Sequence, residues 1–148
     1  MTGGSFRRPS VPLPFAARKG HNPVNMIPPK LLEIMKTDGV IAIATSGPDG
    51  LHLVNSWHSY LRFSPEERLL IPAGFMHKTE ANIAANPNVA LTLASSKVKG
   101  LHGNGAGFLI KGKAAFVTSG PDFDCLKQSY SWARATLAVT IESATQTW

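Results

Sequence analysis

Cysteine is nearly absent: the 148 residues hold one, Cys125. A single thiol cannot close an internal disulfide, which fits a reducing cytoplasm. Long apolar runs are also missing. Nothing approaches the ~20 residues that span a bilayer, and the stretch from Val11 to Ala17 is too short and too proline-broken for a signal peptide. We therefore expect a cytoplasmic protein with no membrane partner. The histidines at 21, 52, 58, 77 and 102 lack metal-ligand spacing beside a cysteine or carboxylate cluster, so no metal site is expected. No nucleophile with a base and an orienting group can be read, and no catalytic residue is assigned. Cys125 reads as a packing residue in a helix. Charge is scarce at 16%, against 43% hydrophobic residues. That is enough apolar material for a core, and low charge hints at surface hidden in an oligomer.

Acidic residues are missing from the first 25 positions, where Arg7, Arg8, Arg18 and Lys19 lie. The net charge of +6 invites a nucleic-acid reading, but residues 26–148 hold 11 basic and 9 acidic side chains, a net of +2. Six of the 11 prolines fall within the first 29 residues. Residues 1–25 are expected to be a disordered, basic, proline-rich tail, and residues 26–148 the folded domain. Met26 is a second candidate for the start of translation. No nucleic-acid partner is expected; a basic-tailed binding module is kept as the hypothesis of a different class.

The ordered part alternates short apolar segments with turn residues. Pro28-Pro29 opens a helix, Lys30 to Thr37, with Leu31, Leu32 and Met35 on one face. Strands are predicted over Val40–Thr45, from Leu51 towards Phe63, and over Arg68–Ala73, Val89–Ala94, Phe108–Val117 and Thr136–Ile141. Helices are predicted from Lys78 to about Ala85 and from Pro121 to about Trp132, and Lys97 to Gly107 as a glycine-rich loop. Six strands at hairpin spacing and three short helices imply a mainly β fold, an antiparallel barrel with flanking helices.

The most informative stretch is Pro72-Ala73-Gly74-Phe75-Met76-His77-Lys78-Thr79. A strand ends, glycine permits close approach, and a helix begins with Lys-Thr. The first turn of a helix leaves N–H groups free and partly positive, so an ammonium and a hydroxyl there make an anion site. Thr79 as a plain cap beside a solvated Lys78 fits the spacing equally. Asn55-Ser56-Trp57-His58 offers polar groups in mid-strand with flanking aromatics, and reads either as a ligand wall or as an ordinary edge strand. The glycines at 105 and 107 can admit a ligand or merely bend the chain. A terminal Trp148 reads as a free end or as a residue that docks on a second subunit.

Taken in order, Val40 to Thr45, His52 to Leu61, Met76-His77-Lys78-Thr79-Glu80-Ala81-Asn82, Gly107 to Gly112, Trp132-Ala133-Arg134-Ala135 and Ser143 to Thr147 resemble one family. It is the small FMN-binding proteins of anaerobic bacteria, in the pyridoxamine-phosphate-oxidase-like flavin split-barrel group. The resemblance covers residues 26–148. It implies a six-stranded Greek-key split barrel, a homodimer, and one FMN per subunit at the interface. It implies that Lys78 and Thr79 hold the phosphate, with Met76 and His77 leading into them. Asn55, Ser56, Trp57 and His58 would line the flavin, and Pro72, Ala73 and Gly74 would present backbone to the ring. Gly105, Ala106 and Gly107 would approach it, Trp132 would lie near it, and Trp148 would reach the partner's flavin. Phe75 and Trp148 depart from a family member that has glycine and an aliphatic residue there. The function implied is electron transfer to an unidentified redox partner, with Asp38 a candidate for tuning the flavin. The alternative is an FMN-dependent reductase or oxidase acting on NAD(P)H or another small substrate.

Overall fold

The computed structural model describes residues 27–148; the expected tail lies outside the described residues. Helix α1, Pro29–Met35, opens with proline at its first position, where a missing N–H costs nothing. It buries Leu31 and Ile34, while Leu32 is exposed. The inward stripe is thus Leu31–Ile34, with Met35 packed at its rim. The helix stops early because the Thr37 hydroxyl turns back to donate to the Ile34 carbonyl at 2.7 Å.

Strands β1, Val40–Gly47, and β2, Gly50–Trp57, form a hairpin closed by Pro48 and Asp49. Gly50 takes φ 101°, a region that suits glycine. The second strand does not run on to Phe63. A 3₁₀ turn at His58–Tyr60 breaks it, and a two-residue strand β3, Arg62–Phe63, follows. This break gives seven strands among the described residues where six were expected.

Strand β4, Leu69–Ala73, is buried throughout, as its continuous apolar run requires. Pro72 is tolerated because β3 pairs only with Leu69 and Leu70, so β7 is the one strand beside the proline. Helix α2 is His77–Ala85. Strands β5, Asn88–Gly100, and β6, Gly103–Val117, form one long hairpin. The expected glycine loop is therefore strand on both sides of a short turn. Helix α3, Pro121–Lys127, ends well before Trp132, and Cys125 is exposed on it rather than packed. Strand β7, Ala135–Gln146, completes the set.

All pairings are antiparallel, and the strand order is β2-β1-β5-β6-β7-β4-β3. The two outermost strands, β2 and β3, are joined by residues 58–61 alone, so the sheet curls round until its ends meet. This is the split barrel, with a bulge opposite Lys111 and Gly112 that leaves Glu142 unpaired and bends β7. Its interior holds Ile41, Ile43, Leu69, Ile71, Leu91, Phe108, Ile110, Leu137 and Val139 in one cluster. A smaller cluster of Leu70, Leu126 and Ala138 seats α3 on the outer face of β4 and β7.

Candidate functional site

The start of α2 is built by a backbone that the residue type does not favour. Met76, the residue before the helix, sits in the left-handed region at φ 63° and ψ 35°. No side chain caps the first turn, so the N–H groups of His77, Lys78 and Thr79 have no helical acceptor. Thr79 is fully buried, and its hydroxyl oxygen has no hydrogen-bond partner. A buried hydroxyl left unpaired costs ~1–3 kcal/mol unless something meets it. Lys78 is exposed, and its ammonium donates to the Asp49 carboxylate on the β1–β2 turn. That hydrogen bond, and then the Lys78 charge, hold the Asp49 carboxyl below its ordinary value of 3.8. Asp49 is thus ionised at neutral pH, and the pair is lost only as pH falls through that lowered value.

Helix α2 is fixed to β1 by a buried contact. The Asn82 amide donates to the Thr45 hydroxyl at 3.1 Å. Gly47 makes room for it, since a Cβ there would overlap the Asn82 side chain. On the opposite side Arg134 donates to the carbonyls of Gly74 and Phe75 and pairs with Glu80 at 2.9 Å.

A separate groove of about 730 Å³ lies over β1, β5 and β6, lined among others by Asp38, Asn55, Gly105, Ala106, Gly107 and Trp148. The Trp148 ring rests against His102, with centroids 5.0 Å apart, and lies beside Gly105, whose φ of 108° suits glycine. Trp132 lies elsewhere. It packs against Gly74 and forms an aromatic cluster with Tyr60 and Tyr130 at centroid distances of 5.4 and 5.7 Å. Trp57 is 54% exposed on the outer face of β2, in line with Leu51 and Leu53.

One chain therefore divides the predicted residues. Met76, His77, Lys78 and Thr79 gather at the start of α2. Asn55, Gly105, Ala106, Gly107 and Trp148 gather in the groove, which none of those four lines. Pro72 and Ala73 are buried and offer only backbone; the Ala73 and Gly74 carbonyls are taken by Arg134. Ser56 is buried next to exposed Asn55, as strand alternation dictates. His58 turns inward instead of lining a wall. Its ring is 2% exposed, its Nδ1 lies 2.9 Å from the Thr37 carbonyl, and its Nε2 has no partner. Among the described residues, no three His, Cys, Asp or Glu side chains converge as metal ligands. No helix among them is long and apolar enough to cross a membrane. Sequence reading missed Asp49 and Arg134. Asp49 reads as a turn residue; Arg134 lies in the stretch Trp132-Ala133-Arg134-Ala135 that carries the resemblance, but its partners lie some 60 positions away, so its role has no local signal.

Comparison with known proteins places this geometry. A curated FMN-binding protein of Nitratidesulfovibrio vulgaris (strain Miyazaki F) is 52% identical over 122 residues, covering 82% of this chain and 99% of its own length. Among solved structures, HupZ of Group A Streptococcus superposes with a TM-score of 0.68 at 14% identity, covering 82% of this chain and 94% of its own. An FMN-binding protein of Syntrophomonas wolfei superposes with a TM-score of 0.56 at 14% identity, covering 73% and 76%. At such identities these two likenesses speak for the fold alone. The profile of the pyridoxamine 5'-phosphate oxidase family matches residues 27–147, nearly every described residue, and the chain belongs to that family.

Proposed function

We propose that this chain binds FMN and serves as an electron carrier, acting as a homodimer with one FMN per subunit between the two copies. The observation that carries the reading is the Thr79 hydroxyl, buried without a partner beside Lys78 on the first turn of α2. These groups fit a phosphate: free N–H donors, a helix dipole, an ammonium and a hydroxyl wanting an acceptor. The 52% identical relative named as an FMN-binding protein supports the same cofactor. The groove suits a flat ring, being of the size that ligand pockets have, ~300–1,000 Å³.

Bound FMN supplies reversible one- and two-electron chemistry, and the protein's part is to hold and tune it. Lys78 and Thr79 anchor the phosphate. Asp38 at the groove edge places a negative charge where it disfavours a reduced anionic ring. The groove and the α2 start are separate on one chain, which favours a site shared between copies. The exposed apolar face of Val40, Leu51, Leu53 and Trp57 supports that pairing, because monomers rarely leave such patches open to water. A cytoplasmic location agrees with the single exposed thiol, Cys125.

Purified protein is expected to be yellow. Replacing Lys78 and Thr79 together by alanine is expected to weaken FMN binding by ~2–5 kcal/mol, through the loss of two phosphate contacts. An absorption spectrum checks both. A colourless wild type that takes up no added FMN ends the reading. A second reading, an FMN-dependent reductase or oxidase, is favoured by the open groove, which leaves space beside a ring. Stopped-flow mixing with NADH and NADPH separates the two, since rapid bleaching by either marks an enzyme.

A further inference from the structure

Arg134 immediately precedes β7, and it engages three carbonyls and one carboxylate around the turn before α2. Its backbone N–H donates to the Ala73 carbonyl at 2.9 Å, which ends the β4–β7 ladder. Its Nε donates to the Gly74 carbonyl at 3.1 Å and shares the Phe75 carbonyl, 3.2 Å away. Its Nη2 reaches the same Phe75 oxygen at 2.6 Å and the Glu80 carboxylate at 2.9 Å. The guanidinium also lies 5.9 Å from the centre of the Phe116 ring. One planar fork thus ties the end of β4, the turn and the first turn of α2 together.

The consequence follows from peptide geometry. All described peptide bonds are trans, and in a trans peptide the C=O and the following N–H point in opposite directions. With the Gly74 and Phe75 carbonyls turned towards Arg134, the N–H groups of Phe75 and Met76 point away from it. Met76 then takes the left-handed region and His77 the right-handed one. That succession curves consecutive N–H groups into an anion-binding hollow, continued by the free donors of the helix start. Methionine does not choose the left-handed region unaided, so its surroundings must hold it there. The fork on the carbonyl just before Met76 contributes to that hold, beside the packing of the Met76 side chain against the barrel core.

We infer that Arg134 is a positioning residue for the phosphate: without touching the ligand, it orients the peptides of residues 74–76 and so makes the site select phosphorylated over phosphate-free flavin. This rests on the FMN reading above, and its test separates the two. The dissociation constants of FMN and riboflavin are measured for the wild type, Arg134→Gln and Arg134→Lys, with thermal melts to verify folding. Arg134→Gln is expected to lose about tenfold of the FMN-over-riboflavin preference, the worth of one charge-assisted bond, with riboflavin binding within about threefold of wild type. Arg134→Lys keeps the charge but not the fork, and is expected to lose most of that preference too. Adding Met76→Gly to Arg134→Gln should restore part of it, because glycine reaches the left-handed region without help. Where Arg134→Gln alone does not fold, the double variant is read in its place and is expected to lose part of the wild-type preference; a double variant with the full wild-type preference overturns the inference. A wild type that prefers neither flavin ends the FMN reading itself. A wild type that prefers FMN, with the preference unchanged in Arg134→Gln or fully kept in Arg134→Lys, overturns the inference alone. An equal loss of both flavins also overturns it, since that marks a merely structural role.

Discussion

Single residues here act mostly through what they leave room for. A Cβ on Gly39 would overlap the His58 ring, so glycine lets that ring seal the turn between α1 and β1. The His58 backbone N–H returns the contact by donating to the Gly39 carbonyl at 3.0 Å. Asp38, next in the turn, is thereby set at the rim of the groove. If the flavin ring lies there, Asp38→Asn removes a negative charge that opposes reduction. The expected result is a one-electron midpoint potential raised by roughly 20–40 mV, from a screened interaction of about 0.5–1 kcal/mol. Spectroelectrochemical titration of the two proteins measures it, and an unchanged midpoint removes Asp38 from the tuning. The positive end behaves differently. Lys78 already has a counter-ion in Asp49, so an arriving phosphate shares or displaces an exposed carboxylate.

Elements differ in how plainly the chain announces them. The approach to α2 was legible because its punctuation is local: a buried strand, a glycine, then Lys-Thr before an amphipathic run. Most strand cores were legible too, from β-branched apolar runs such as Val40 to Thr45. The β5–β6 hairpin was not, because its glycines suggest slack. They are there for closeness instead: a Cβ on Gly100 would strike the Gly105 backbone carbonyl and crowd that of Trp148. Period-two burial runs from Val89 to Ser95. It slips by one residue at exposed Ser96 and Lys97, and Val98 is buried again, within the register shift between Ser95 and Lys99. Gly100→Ala must push backbone, not a flexible side-chain tip. It is expected to lower stability by ~1–3 kcal/mol, seen as a lower denaturant midpoint; an unchanged midpoint would show the hairpin to be pliant. The break at His58 also escaped reading, since it depends on contacts with Thr37 and Gly39 about 20 positions earlier. The early end of α3 has a similar origin. Lys127 donates to the carbonyls of Ser131 and Ala133 and draws the chain out of the helix.

At the scale of the whole molecule, the two halves of the candidate site and the uncovered face of β1 and β2 belong to one question. Leu51 and Leu53 are 84% and 69% exposed, more than any core-forming sheet would leave to water. On the proposed pairing, Leu53→Asp places a charge in the interface without disturbing the barrel interior. The variant is expected to run near the 15.9 kDa of one chain, with an unchanged melt of its secondary structure and much weaker flavin binding. Size-exclusion chromatography with light scattering decides it, and a dimer that survives the charge would place the interface elsewhere. The separation of the α2 start from the groove carries a consequence for supply. If one flavin needs surfaces from two chains, its retention is linked by mass action to the concentration of the protein itself. Diluting the protein then sheds cofactor even while free FMN is held constant. Loading would be governed by how much of the chain a cell makes, rising steeply once its concentration passes the dimer's dissociation constant.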